Sequence, residues 1–242
     1  MKQLDPVLVK PHEGHEDDYG IRATSRGQLQ NQEPLDPELE LHLEPDTMLG
    51  TILRHPLVYS IPYFPPMAGM MNRSLYMKRE MLQAAKIERN WESYVFLHER
   101  PHRLPAFMRM QDEMTDAEFW TGLRGVWIDS ENIQAFAVEW ADLWGSERGS
   151  REVLMTAEEA GLLAAMGDEF TVWQGHTTER TDGWSWTVNP ATAKWFANRF
   201  AALEGGEAVV SRGRIRRSEV VAYFTSRGEN EILVNPSSVR IN

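Results

Sequence analysis

The chain has 242 residues, 42% of them hydrophobic, with no cysteine and a formal net charge of −11. That is enough for one or two globular domains with a real core. It leaves no run near the roughly 18 apolar residues of a membrane span, no disulfide framework and no thiolate chemistry. The opening MKQLDPVLVKPHEGHEDD has no apolar stretch of signal-peptide type. The expectation is therefore a cytoplasmic protein without a membrane partner.

The charge is segregated: residues 1–50 carry −7, 51–110 carry +5, 111–170 carry −11 and 171–242 carry +2. A generally acidic protein is repelled by nucleic acid at long range. The basic second block and RGRIRR at 212–217 offer local phosphate contacts. A solvated charged face is the commoner meaning of such runs.

Residues 1–54 read as an acidic, proline-containing arm. Within NQEPLDPELELHLEPD, interrupted by Pro34, Pro37 and Pro45, the run ELELHLE alternates. Alternation puts Leu39, Leu41 and Leu43 on one face of a short edge strand or docking segment. His12 and His15 sit beside Glu13, Glu16 and Asp17. Those are metal-ligand side chains, but an acidic tail of this composition is more often solvated, and no metal is expected.

Residues 55–167 predict a helical region. MMNRSLYMKREMLQAAKIERNWESYVFL is rich in helix formers around an apolar stripe. TDAEFWTGL opens with a capping box, Thr115 and Glu118, and MTAEEAGLLAAMG with a second, Thr156 and Glu159. Ile133, Phe136, Trp140, Leu143 and Trp144 recur at helical spacing.

From residue 168 the character changes. EFTVWQG and WSWTV read as strands. NPATAKWFANRFAAL starts a helix with Asn189 as N-cap and Pro190 in the first turn. EAVVSRGRI, VVAYF, EILV and SVRI follow as short strands. Strand, strand, helix and then several strands is an α+β order, not a wound βαβ one.

Two pairs carry chemistry. Glu229 and Glu231 lie two apart in GENEILV, so an extended strand points both to one face. In WSWT, Ser185 and Thr187 share one face, and Trp184 and Trp186 the other. A strand with one polar and one aromatic face suits the lining of a cleft.

The order TVWQGH, GWSWTVNPATAKWFA, VVAYFTSRGENEILV, over about residues 169–236, resembles the ADP-ribosyltransferase superfamily. It is closest to the arginine–serine–glutamate branch found among bacterial toxins and phage-encoded proteins. The resemblance implies a mainly helical N-terminal region, 55–167, followed by a small split β-sheet core over 168–242 that binds NAD. It implies an NAD-dependent mono-ADP-ribosyltransferase acting in a bacterial host cell. The acceptor would be an arginine side chain of a host protein, or else RNA or DNA. The helical region would choose the target.

By the same resemblance Glu231 is the catalytic glutamate and Glu229 guides or activates the acceptor. Ser185 and Thr187 support the nicotinamide riboside and Glu231, and the Gly175 backbone binds the carboxamide. Trp186 and His176 are further contacts to NAD, and Trp195 and Phe196 pack near the nicotinamide. One position departs. Gln174 stands where the branch has the arginine that binds the NAD phosphates; glutamine donates but carries no charge. Arg180 and Arg199 are the candidates to replace it. The alternatives are an NAD glycohydrolase, with water as acceptor, and a catalytically degenerate module that binds a nucleotide or a partner.

Overall fold

The computed structural model describes residues 33–46, 48–131, 133–178 and 183–241. His12, His15 and Arg180 lie outside the described residues. Among those described, helices and two antiparallel sheets combine in an α+β architecture, and no helix is long and apolar enough to cross a membrane.

The first unit packs a small sheet against one long helix. Asp36 caps a single helical turn, α1 (Pro37–Glu40), by accepting the Glu38 N–H at 2.8 Å, with Pro37 at the first position. This replaces the alternating strand expected over ELELHLE: a capping aspartate before a proline is a helix start. Leu39 is consequently buried, whereas Leu41 is 86% exposed. The strands β1 (Leu43–Asp46), β2 (Gly50–His55) and β3 (Val58–Pro62) form an antiparallel meander. The expected boundary between arm and helical region, at 54/55, falls inside β2. Leu35, Leu39, Leu53 and Val58 share one core with Met71 and Leu75 of α2 (Ala68–Ile87).

The helix expected to run through residue 97 is broken. Arg89 takes φ 54°, and the Asn90 side chain caps a new short helix, α3 (Trp91–Phe96). Then come α4 (Arg103–Met110), α5 (Asp116–Asp129), α6 (Ala137–Trp144) and α7 (Ala157–Ala165). Both capping boxes form, at Thr115/Glu118 and Thr156/Glu159.

The second sheet has the order β7-β8-β5-β4-β6-β9. Its strands are β4 (Glu169–Thr177), β5 (Ser185–Thr187), β6 (Ala208–Arg216), β7 (Val220–Phe224), β8 (Glu231–Val234) and β9 (Arg240–Ile241). β4 pairs with β6 over its whole length but with β5 through one registered pair, Trp173 with Thr187. The sheet is thus two three-stranded halves joined at a narrow waist. Ala222, Phe224 and Leu233 of one half belong to the same core as Phe107, Trp120, Leu123, Trp140 and Leu154 of the helical region. The helices and that half-sheet therefore share a single interior.

The helix α8 (Pro190–Glu204) begins as its sequence says, with Asn189 Oδ1 accepting the Ala191 N–H at 2.9 Å. It lies so close over β4 that a Cβ on Gly175 would sit 1.9 Å from the Ala193 carbonyl oxygen and 2.6 Å from Ala197 N. Glycine at 175 and alanine at 193 and 197 set that approach, and with it the position of one wall of the site.

Candidate active site

A cleft of about 320 Å³ opens at the waist, lined from both sides of the β4–β5 junction. That size falls in the roughly 300–1,000 Å³ range of small-molecule sites. Gln174, Gly175, His176, Ser185, Trp186, Thr187, Glu229 and Glu231 all line it, as do Trp195 and Phe196. Their individual environments divide them into different kinds of residue.

Glu231 opens β8, registered opposite Thr187 of β5 and Phe224 of β7. Its side chain is only 8% exposed. Oε1 accepts a hydrogen bond from Trp127 Nε1 of α5 at 3.0 Å. Glu229 is not on the strand. It sits at φ −81°, ψ −17°, and Asn230 follows at φ 49°. The extended-strand argument for the pair therefore fails. Glu229 reaches the cleft through a turn, and Asn230 supplies the left-handed residue that asparagine tolerates better than most. Tyr223 OH donates to Asn230 Oδ1 at 2.9 Å and fixes that turn.

Thr187 holds the same turn from the other side. Its hydroxyl donates to the Glu229 carbonyl at 2.8 Å and accepts the Asn189 N–H at 3.1 Å. One side chain thus joins the end of β5, the glutamate turn and the start of α8. Ser185, on the same strand face, is exposed to the cleft. Trp186 is only 4% exposed and packs with Ile232, Tyr223 and Val172 on the opposite face. Its indole donates to the Gly183 carbonyl at 3.0 Å. Trp186 is a core residue that also borders the cleft. The predicted split of WSWT into two faces holds within β5, but Trp184 precedes the strand and packs against the helical core.

Gln174 and His176 are committed inward. The Gln174 amide nitrogen donates to the carbonyls of Gly183, at 3.0 Å, and Ser185, at 3.2 Å. Both its N–H groups are used, so it does not stand ready to donate to a phosphate. It ties β4 to the entry of β5 just where the backbone ladder stops. Its Oε1 is buried without a hydrogen-bond partner. His176 Nδ1 lies 2.7 Å from the Thr177 carbonyl and so carries the proton; Nε2 lies 2.7 Å from Ser211 Oγ. The Gln174 amide N–H groups and the His176 ring are thus engaged by the sheet and the entry to β5, while both residues still line the cleft. The arginine lining the cleft among the described residues is Arg199 of α8, exposed and stacked over Trp195 at 5.5 Å. Trp195 is itself 55% exposed.

The helical region contributes a wall that local motifs could not reveal: Trp127 and, beyond the end of α5, Ser130, Glu131, Ile133 and Gln134. Behind the turn lies a buried ion pair. Arg124 of α5 meets Glu159 of α7 through two bonds, of 2.6 and 2.9 Å. Glu159 also accepts the backbone N–H of Thr156, at 2.9 Å, and of Thr225, at 3.0 Å. Burial pushes the Glu159 carboxyl up, but Arg124 and these two amides outweigh it and hold the pKa down to about 2. The Thr156–Glu159 capping box thus also anchors Thr225, four residues before Glu229. No group of three or more histidine or acidic side chains suited to a metal occurs among the described residues.

Comparison with protein-family models, with curated proteins and with solved structures gives no match to this chain.

Proposed function

We propose that the chain is an NAD-dependent mono-ADP-ribosyltransferase of the arginine–serine–glutamate type, with a split-sheet core. The observation that carries this reading is the convergence on one cleft of Glu231, Glu229, Ser185, Thr187 and Gly175, residues from separate segments. The cleft sits at the narrow waist of the sheet and includes Ser185 and Thr187, which by the resemblance support nicotinamide riboside. In the reaction the bond from the ribose anomeric carbon to the nicotinamide nitrogen breaks. Nicotinamide leaves with the bonding electrons and is thereby neutral. The acceptor nucleophile bonds to the anomeric carbon and gives up its proton to the Glu229 carboxylate, or through it to solvent. A carboxylate beside the ribose stabilises the oxocarbenium-like transition state; Glu231 is placed for this. Glu229, carried on a turn at the cleft, is placed to receive or orient the acceptor. Three glutamates, Glu131, Glu229 and Glu231, line the cleft, which favours a cationic arginine acceptor over a nucleic acid.

The second reading is NAD glycohydrolysis or a degenerate binding module. It draws on the fact that Gln174 and His176 are occupied within the sheet, which leaves Arg199 as the described cation for the pyrophosphate. Incubation with NAD labelled in the adenylate decides among these. Label on a bacterial protein, or on an arginine-rich peptide, supports transfer. Free ADP-ribose alone indicates hydrolysis. Neither product, with or without measurable NAD binding, excludes the enzyme reading.

A further inference from the structure

The hydrogen bond between Trp127 and Glu231 joins residues 104 positions apart, one in the helical region and one in the sheet. Both are buried, at 3% and 8% exposure. Trp127 does not have the freedom of a surface side chain. Trp140 and Trp144 of α6 meet it edge-on, at centroid distances of 4.9 and 5.5 Å. Its indole nitrogen is therefore delivered to the carboxylate by a packed aromatic cluster. A carboxylate nine-tenths out of water needs donors to stay ionised and to keep one orientation. An indole supplies a neutral donor that cannot neutralise the charge by giving up its proton, as an ammonium or imidazolium could.

We infer that Trp127 is a positioning residue for Glu231, so that the helical region completes the active site as well as selecting the target. This rests on the proposed transferase reading. Among the described residues, the other titratable or charged groups lining the cleft are Glu229 in the turn, Glu131 beyond α5, His176 on β4 and Arg199 on α8. All four are retained in the variants below.

The test compares Trp127→Phe with Trp120→Phe in the full chain. Trp120 lies on the same helix, is fully buried, and its Nε1 donates to the Gly149 carbonyl at 2.7 Å, away from the cleft. Each variant thus loses one indole hydrogen bond and some packing. For Trp127→Phe, kcat for NAD cleavage is expected to fall about tenfold or more with KM for NAD unchanged. The acid limb of the pH–rate profile should move up by about one pH unit. Trp120→Phe should lower Tm without moving that limb. A Trp127→Phe enzyme with the parent's kcat and pH profile overturns the inference and makes Trp127 a core residue only.

A second readout does not depend on catalysis. In a ¹⁵N-indole spectrum assigned by single Trp→Phe variants, the Trp127 N–H signal should shift markedly in Glu231→Gln, and the Trp120 signal should not. An unmoved Trp127 signal overturns the inference whether or not the protein cleaves NAD. A moved signal in a protein that cleaves no NAD leaves the contact standing, overturns its catalytic meaning, and removes the transferase reading.

Discussion

Replacing Glu159 with glutamine keeps the shape of the side chain and its capping geometry, since glutamine also serves at that position of a capping box. What it removes is the charge facing Arg124, whose side chain is only 19% exposed. The size of the loss can be worked out in two ways. A Glu159 carboxyl held at about 2, against the ordinary glutamate value of 4.5, corresponds to about 3 kcal/mol at neutral pH. Removing one partner of a buried pair costs about 3–5 kcal/mol. The two agree. For a chain of this size about 3 kcal/mol lowers Tm by roughly 6–12 °C. The sign with pH follows from the depressed pKa. The contribution is fully present above about 4.5 and is lost as pH falls through about 2. Thermal or urea unfolding of parent and Glu159→Gln should therefore differ at pH 7 and converge as pH falls from 4.5 toward 2. Arg124→Met combined with Glu159→Gln should recover part of the loss, because no buried charge then remains unpaired. Equal Tm values at pH 7, or a gap that stays constant down to pH 2.5, would refute the reasoning.

Four further outcomes are expected. Glu231→Gln should lower NAD turnover by about two orders of magnitude or more, on the scale of about 3–4 kcal/mol for one aligned transition-state group, while Glu229→Gln keeps NAD cleavage and loses modified product; radiolabel assays separate the two. Gln174→Ala should lower stability by about 1–3 kcal/mol in urea titrations, because two hydrogen bonds across the sheet waist disappear. Arg199→Ala should leave stability unchanged and weaken NAD binding about ten- to hundredfold in calorimetry, the value of a charged phosphate contact. His55, which burial first and His42 second push down to about 4, is held neutral in the fold; its contribution is present above 6.5 and is lost as pH falls through 4, so parent and His55→Gln should differ in their Tm change across that window.

The parts of this fold that the sequence disclosed are those set by contacts within a few residues. Asn189 followed by Pro190 starts α8 wherever the rest of the chain goes. The capping boxes at Thr115 and Thr156 likewise close within one turn. The β1–β3 meander lies where the sequence suggests an arm and a helical region, although Thr51, Ile52, Val58 and Ile61 are strand formers. The β2–β3 hairpin turns at Pro56, and His55 stabilises the turn: Leu57 N–H donates to His55 Nδ1 at 3.1 Å, and His55 Nε2–H donates to Glu38 at 2.9 Å.

At the cleft, spacing in the sequence gives which residues are near one another but not their orientation. Strand alternation in the sequence pairs Glu229 with Glu231. They reach the cleft because Asn230 turns the chain between them. Gly228 and Asn230 are turn residues, both at positive φ, and turn chemistry prevails over the alternation here. In the sequence Gln174 stands out by its lack of charge. Its actual constraint comes from the entry to β5 beside it, whose Gly183 and Ser185 carbonyls take both of its amide N–H groups. Trp127 had no local signal at all. A tryptophan at helical spacing is a core residue on every short-range criterion, and Trp127 is one, packed against Trp140 and Trp144. Its second role arises only because the helical core continues into Ala222, Phe224 and Leu233. The strand that buries Leu233 against the helices carries Glu231 two residues earlier on the same face. Burial of that face and orientation of the glutamate are therefore one packing event. Any substitution that separates the helices from β8 should disturb the carboxylate before it unfolds the chain.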